Sequence, residues 1–136
     1  MTGDNLVQMA NGRRLVRFVS RAAVIGLVLV AALWLGTICL VGSGVHAASE
    51  AALLARPGDR VLALMAFAES PQHTLRERNR AVWALGQLGD ARALPMLEKH
   101  FTGGDCQHGR ILCQHELRKA LRLCRGATNI AAFGWR

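Results

Sequence analysis

The stretch Arg80-Ala-Val-Trp-Ala-Leu-Gly-Gln-Leu-Gly-Asp-Ala-Arg-Ala-Leu-Pro-Met-Leu97 constrains the fold more than any other part of this 136-residue chain. Apolar residues recur every three or four positions up to Leu88, the spacing of one helical face. Gly89 then supplies a left-handed stop and Asp90 an N-cap for a second helix. So short a connection makes the two helices antiparallel neighbours. The result is a building block for stacking helices, and it contains no catalytic chemistry.

The N-terminal segment sets the topology. Ala22 to Gly42 contains no charged residue, and about 21 residues at roughly 1.5 Å each cover about 31 Å, enough to cross a bilayer core. Arg13, Arg14, Arg17 and Arg21 precede it, and no Lys or Arg follows until Arg56. That asymmetry predicts a cytoplasmic N-terminus and an extracytoplasmic (periplasmic) domain, held by one pass in the plasma (inner) membrane. A cleaved signal peptide is the alternative, since Val45-His46-Ala47 fits a cleavage site, but the apolar run exceeds the usual length of such a signal. Cys39 lacks the small preceding residue of a lipoprotein signal and reads as an apolar side chain.

The expected organisation is a basic segment 1–21, a transmembrane helix 22–42, a juxtamembrane linker 43–58, a helical domain 59–125 and a tail 126–136. Gly42-Ser-Gly44 reads as a flexible break before a short Ala-rich helix. Pro57-Gly58 stops that helix, and Asp59 caps the next, Arg60–Glu69, apolar at Val61, Leu64, Met65 and Ala68. A third helix from Thr74 to Leu88 carries Leu75, Val82, Leu85 and Leu88 on one stripe. A fourth, Ala91–Phe101, buries Leu94, Leu97 and Phe101, with Pro95 loosening its first turn. After a polar loop, Thr102 to His108, a fifth runs from about Gly109 to Arg125. Its stripe is Cys113, Leu117, Ala120, Leu121 and Cys124. The fold class is all-α, and a core this small calls for a staple or a partner.

The pattern Arg78-x-x-Ala81-Val82-x-Ala84-Leu85-Gly86-x-Leu88-Gly89-Asp90-x-x-Ala93-x-Pro95-x-Leu97 resembles a HEAT-like repeat of the phycobilin-lyase type. A degraded second copy follows, with Ala120-Leu121 where Ala84-Leu85 stand, and Arg60–Glu69 reads as the first helix of an earlier pair. The resemblance covers about residues 59–125. It implies about two antiparallel helix pairs and a protein-binding role, with no catalytic residue to carry over. Such repeats usually need about three copies to close a core, so terminal segments or a second subunit must cap this one.

One constellation has chemical potential: Cys106, His108, Cys113 and His115, with His100 upstream and Cys124 downstream. In an oxidising compartment Cys106 and Cys113 are placed to form a disulfide that pins the loop to the fifth helix. Unpaired thiols and a zinc site on Cys106, His108, Cys113 and His115 are the alternatives. Cys113 and Cys124 stand about 16 Å apart along one helix and cannot bond each other. His46 and His73 read as exposed loop residues.

From Glu50 onward 13 Lys/Arg face 8 Asp/Glu, a basic balance that, outside the cytoplasm, suits acidic proteins or anionic surfaces rather than nucleic acid. No phosphate loop, serine elbow or zinc-protease helix occurs. The expectation is a non-enzymatic scaffold or accessory subunit with no cofactor. It would work as part of a larger membrane complex or as a homo-oligomer. The alternatives are a metal- or thiol-dependent redox module using the cysteine cluster, and a secreted binding module cleaved near Ala47.

Overall fold

The structure, a computed structural model, describes residues 3–107 and 109–132, with side chains from Val19 onward. His108, Phe133 to Arg136 and the side chains of Arg13, Arg14 and Arg17 lie outside the described residues. Every described element is helical: α1 Gly3–Ala55, α2 Arg60–Glu69, α3 Leu75–Leu88, α4 Leu94–His100 and α5 Gln114–Cys124, with short 3-10 turns at Ala91–Ala93 and Ile130–Ala132. The chain divides into two compact units, Met1–Thr37 and Ile38–Arg136.

In the first unit the described side chains are all exposed, among them Val24, Leu27, Val30, Leu33 and Trp34. This part belongs to a helix long and apolar enough to cross a membrane.

The second unit begins at Ile38, the first buried residue among those whose side chains are described. Gly42-Ser-Gly44, expected to break the helix, lies inside α1. The reason is packing: a methyl group at Gly44 would stand 3.0 Å from the Trp83 ring of α3. Beyond it Val45, Ala48 and Ala52 enter the core. The last turns of α1 thus supply an apolar face that the 59–125 segment lacks.

Local signals explain where α2 to α4 begin and end. The Asp59 side chain accepts hydrogen bonds from the N–H groups of Val61 and Leu62 at the start of α2. Thr74 and Glu77 form a reciprocal capping box on α3, which satisfies two otherwise unpaired helix-end groups. Gly89 ends α3 at φ 62, ψ 30, a left-handed conformation that costs glycine little. The expected fourth helix is divided, a 3-10 turn leading into α4, with Pro95 in its first turn.

Two parallel alignments organise the domain. Along the first, Asn79 of α3 accepts the Cys113 N–H at 2.8 Å, and Gln87 accepts from Asn129 at 2.8 Å. Between these, a methyl group added to Gly86 would stand 2.8 Å from Ala120 Cα. α3 and α5 therefore run the same way and touch backbone to backbone. In the second, Arg92, just before α4, reaches Asp59 at the start of α2 (3.1 Å), while Lys99 and His100 at the end of α4 meet Glu69 at the end of α2 (2.8 and 3.3 Å). Hence α2 and α4 are also parallel. This places α2 beside the second helix of the repeat, not, as expected from sequence, in the first-helix position.

The core gathers Val61, Leu64, Phe67, Val82, Leu85, Met96, Leu97, Leu112, Leu117 and Leu121 around this stack, with Leu75, Leu88, Leu94 and Phe101 half-buried at its edge. His73, expected in an exposed loop, is half-buried and stacks on Phe67 with ring centroids 3.6 Å apart. His46 lies within α1 and pairs with Glu50.

Leu85 is fully buried, so Leu85→Ala should destabilise the domain by about 2 to 5 kcal/mol. Gly86→Ala should cost about 1 to 3 kcal/mol by forcing α3 from α5. Thermal melts followed by far-ultraviolet circular dichroism check both, and a wild-type melt for Gly86→Ala would mean the two helices do not touch there.

Acid sensitivity follows from the carboxylates at the helix ends. The Leu62 N–H and then Arg92 hold Asp59 below its ordinary value, and Arg92 does the same for Asp90. Lys99 lowers Glu69, and the Thr74 hydroxyl lowers Glu77. A carboxyl lowered in the folded state stabilises that state above its unfolded value, and the contribution disappears as pH falls through the folded value. The melting temperature should therefore hold above about pH 5 and drop below about pH 4. Arg92→Met should make that drop shallower.

Candidate functional site

The chemistry-bearing residues of the second unit collect where the enlarged loop enters α5. This helix starts later than its apolar stripe predicts, at Gln114 rather than near Gly109. Gly109 has φ 86, which no α-helix accommodates. Leu112 is buried ahead of the helix, and Cys113 becomes its N-cap residue without making a side-chain cap bond.

A single buried amide organises the loop. Gln114, 1% exposed, accepts from the Thr102 N–H at 2.8 Å through its carbonyl oxygen. Its amide nitrogen donates to the carbonyls of His100 (3.2 Å) and Leu112 (3.1 Å). Both ends of the loop are thus held by one side chain, and backbone groups that would otherwise be buried without partners are satisfied. Sequence reasoning missed Gln114, because a glutamine beside charged helix residues gives no periodic signal.

Cys106 and Cys113 meet beside this clasp, with sulfurs 3.1 Å apart. They are thiols here, and the disulfide expected from sequence is not formed: a sulfur–sulfur bond measures about 2.05 Å. Cys106 Sγ also accepts the His115 N–H at 3.3 Å. The Cys113 thiol, followed by backbone N–H groups at the α5 N-terminus, pulls the Cys106 thiol below its ordinary value. Helix-end N–H groups favour the thiolate in the same way.

Of the alternative zinc set, Cys106 and Cys113 are together, the His115 side chain is exposed, and His108 lies outside the described residues. Among the described residues no group of three or more His, Cys, Asp or Glu is gathered for a metal ion. His100 instead meets Glu69 through its ring Nε2 at 3.3 Å, while its backbone carbonyl accepts from Gln114. Cys124 is buried, 3.6 Å from the Leu85 carbonyl.

Around the corner from the thiols, Phe101, Arg118, Leu121, Arg122 and Arg125 line an open groove. The Arg118 guanidinium stands 5.9 Å from the Phe101 ring centroid, within cation–π range. Arg125 is bound to Glu98 at 2.8 Å. Arg118 and Arg122 are exposed, so the groove presents positive charge beside an aromatic surface.

Gln114→Leu keeps the volume but strips three backbone groups of their partner. It should cost about 1 to 3 kcal/mol, and it should speed hydrogen exchange at Thr102 specifically, which checks that the loss is the clasp and not general packing.

The family described as PBS lyase HEAT-like repeat matches residues 77–102. That match takes in most of α3, the Gly89-Asp90 turn, α4 and the first residues of the loop. No curated protein and no solved structure matches the chain. Residues 77–102 thus match a PBS lyase HEAT-like repeat, and the described elements around them are all helical, with one long apolar helix at the N-terminal end.

Proposed function

We propose that this chain is a membrane-anchored, non-enzymatic interaction module, a scaffold or accessory subunit whose helical domain lies outside the cytoplasm and binds a protein partner. The observation that carries this reading is the HEAT-like repeat at residues 77–102 in a chain that also has a helix apolar enough to span a bilayer. Stacked helical repeats act through extended surfaces rather than enclosed active sites. The groove of Phe101, Arg118 and Arg122 favours an acidic protein surface.

Orientation rests on the four arginines that precede the apolar run. Packing favours a retained anchor over a secreted form. Val45 is 2% exposed in the domain core, and cleavage after Ala47 would remove it together with the Gly44 contact to Trp83.

The full chain should stay with membranes through an alkaline wash and keep its N-terminal residues. A reporter fused after Arg136 should be active only outside the cytoplasm. Crosslinking in intact membranes should return the same protein partner repeatedly, and Arg118→Glu with Arg122→Glu should abolish that product without moving the melting temperature. A mature N-terminus at Ala48 would replace the anchored form with the secreted one, and a cytoplasmically active reporter would reverse the topology.

A further inference from the structure

We infer that Cys106 and Cys113 form an oxidisable thiol pair, closed to a disulfide by exchange with a low-molecular-weight or protein disulfide, and that closure locks the enlarged loop onto the start of α5. The inference goes beyond the interaction role and does not depend on which side of a membrane the domain occupies.

Five observations meet at this pair. The sulfurs are 3.1 Å apart, so bond formation needs a movement of about 1 Å. Cys113 is fixed from outside the loop, its N–H held by Asn79 Oδ1 at 2.8 Å. Cys106 is held by the His115 N–H at 3.3 Å, in the position a capping side chain would occupy on α5. Both residues are half-buried rather than enclosed, so a disulfide donor can reach the loop side. The lowered Cys106 thiol fits the role of attacking group.

The exchange balances in two steps. The Cys106 thiolate, its proton passed to solvent, attacks one sulfur of the donor disulfide. A mixed disulfide forms and one donor thiolate leaves, taking up a proton. Cys113 then loses its proton and attacks Cys106 Sγ, forming the internal bond and expelling the second donor thiolate, which is protonated in turn. Two protein thiols are oxidised, and the donor disulfide is reduced to two thiols. Because Cys113 precedes α5 and Cys106 lies in the loop, the new bond ties the loop to the helix end already held by Gln114.

The test uses the full chain in detergent, equilibrated with oxidised and reduced glutathione at graded ratios, acid-quenched, alkylated and mapped by mass spectrometry. Cys106 and Cys113 should disappear as thiols together, in a single two-electron step, with a bridged peptide joining them. Cys39 and Cys124 should remain alkylatable after denaturation. The folded chain should need at least about tenfold less oxidant than the chain unfolded in urea, because the fold brings the sulfurs together. The bridged form should melt roughly 5 to 15 °C above the reduced form. Cys106→Ser should leave Cys113 as a thiol or a single mixed disulfide. Equal oxidation of folded and unfolded chain would overturn the inference. So would a bridge to Cys124, or stoichiometric zinc that shields both thiols until it is chelated.

Discussion

Two helices can touch backbone to backbone only where neither side chain intervenes, and the domain turns on one such place, Gly86 of α3 against Ala120 of α5. At ordinary helix spacing the large side chains of each helix interleave at 8 to 10 Å between axes. Here a small pair brings the helices closer, so that Leu85, Leu117 and Leu121 fill the space on either side instead of prying it open. The same closeness brings the beginning of α5 within reach of Asn79 and its end, Cys124, within reach of the Leu85 carbonyl, with Asn129 beyond it bonded to Gln87. Any larger residue at position 86 would displace all of these contacts together.

The polar groups do different work. Arg92 joins the N-cap of α2, Asp59, to that of the 3-10 turn before α4, Asp90, while Lys99 and His100 close on Glu69 at the far end. Exposed ion pairs contribute little to stability. Their value here is alignment: opposite charges at both ends of α2 and α4 favour one parallel register over a shifted or reversed one. Apolar burial holds the layers together without fixing how far they slide, and the charges supply that missing specification.

Much of this fold was legible in the chain because its signals are local. Gly89 and Asp90 announce a turn through backbone conformation and capping, and the stripe of Val82 and Leu85 announces a buried face. The failures share a cause, since each depends on a residue distant in sequence. Gly42-Ser-Gly44 looks like a hinge until Trp83 is seen lying against Gly44. Arg60–Glu69 looks like the first helix of a pair until Glu69 is seen beside Lys99. At the candidate site the approach of Cys106 to Cys113 followed from spacing, whereas the clasp at Gln114 did not, because its three backbone partners come from both ends of a loop.

That clasp separates the loop from the helices it connects. With Thr102 and His100 at one end and Leu112 at the other fastened to a single buried amide, the residues between them are closed into a cassette whose length the helices do not sense. Closure entropy grows only slowly with the number of residues enclosed, about 0.6 kcal/mol for each doubling. Sequence and length can therefore drift at the tip while α4 and α5 keep their places. The helical stack acquires in this way one position where the chain can vary without renegotiating the core.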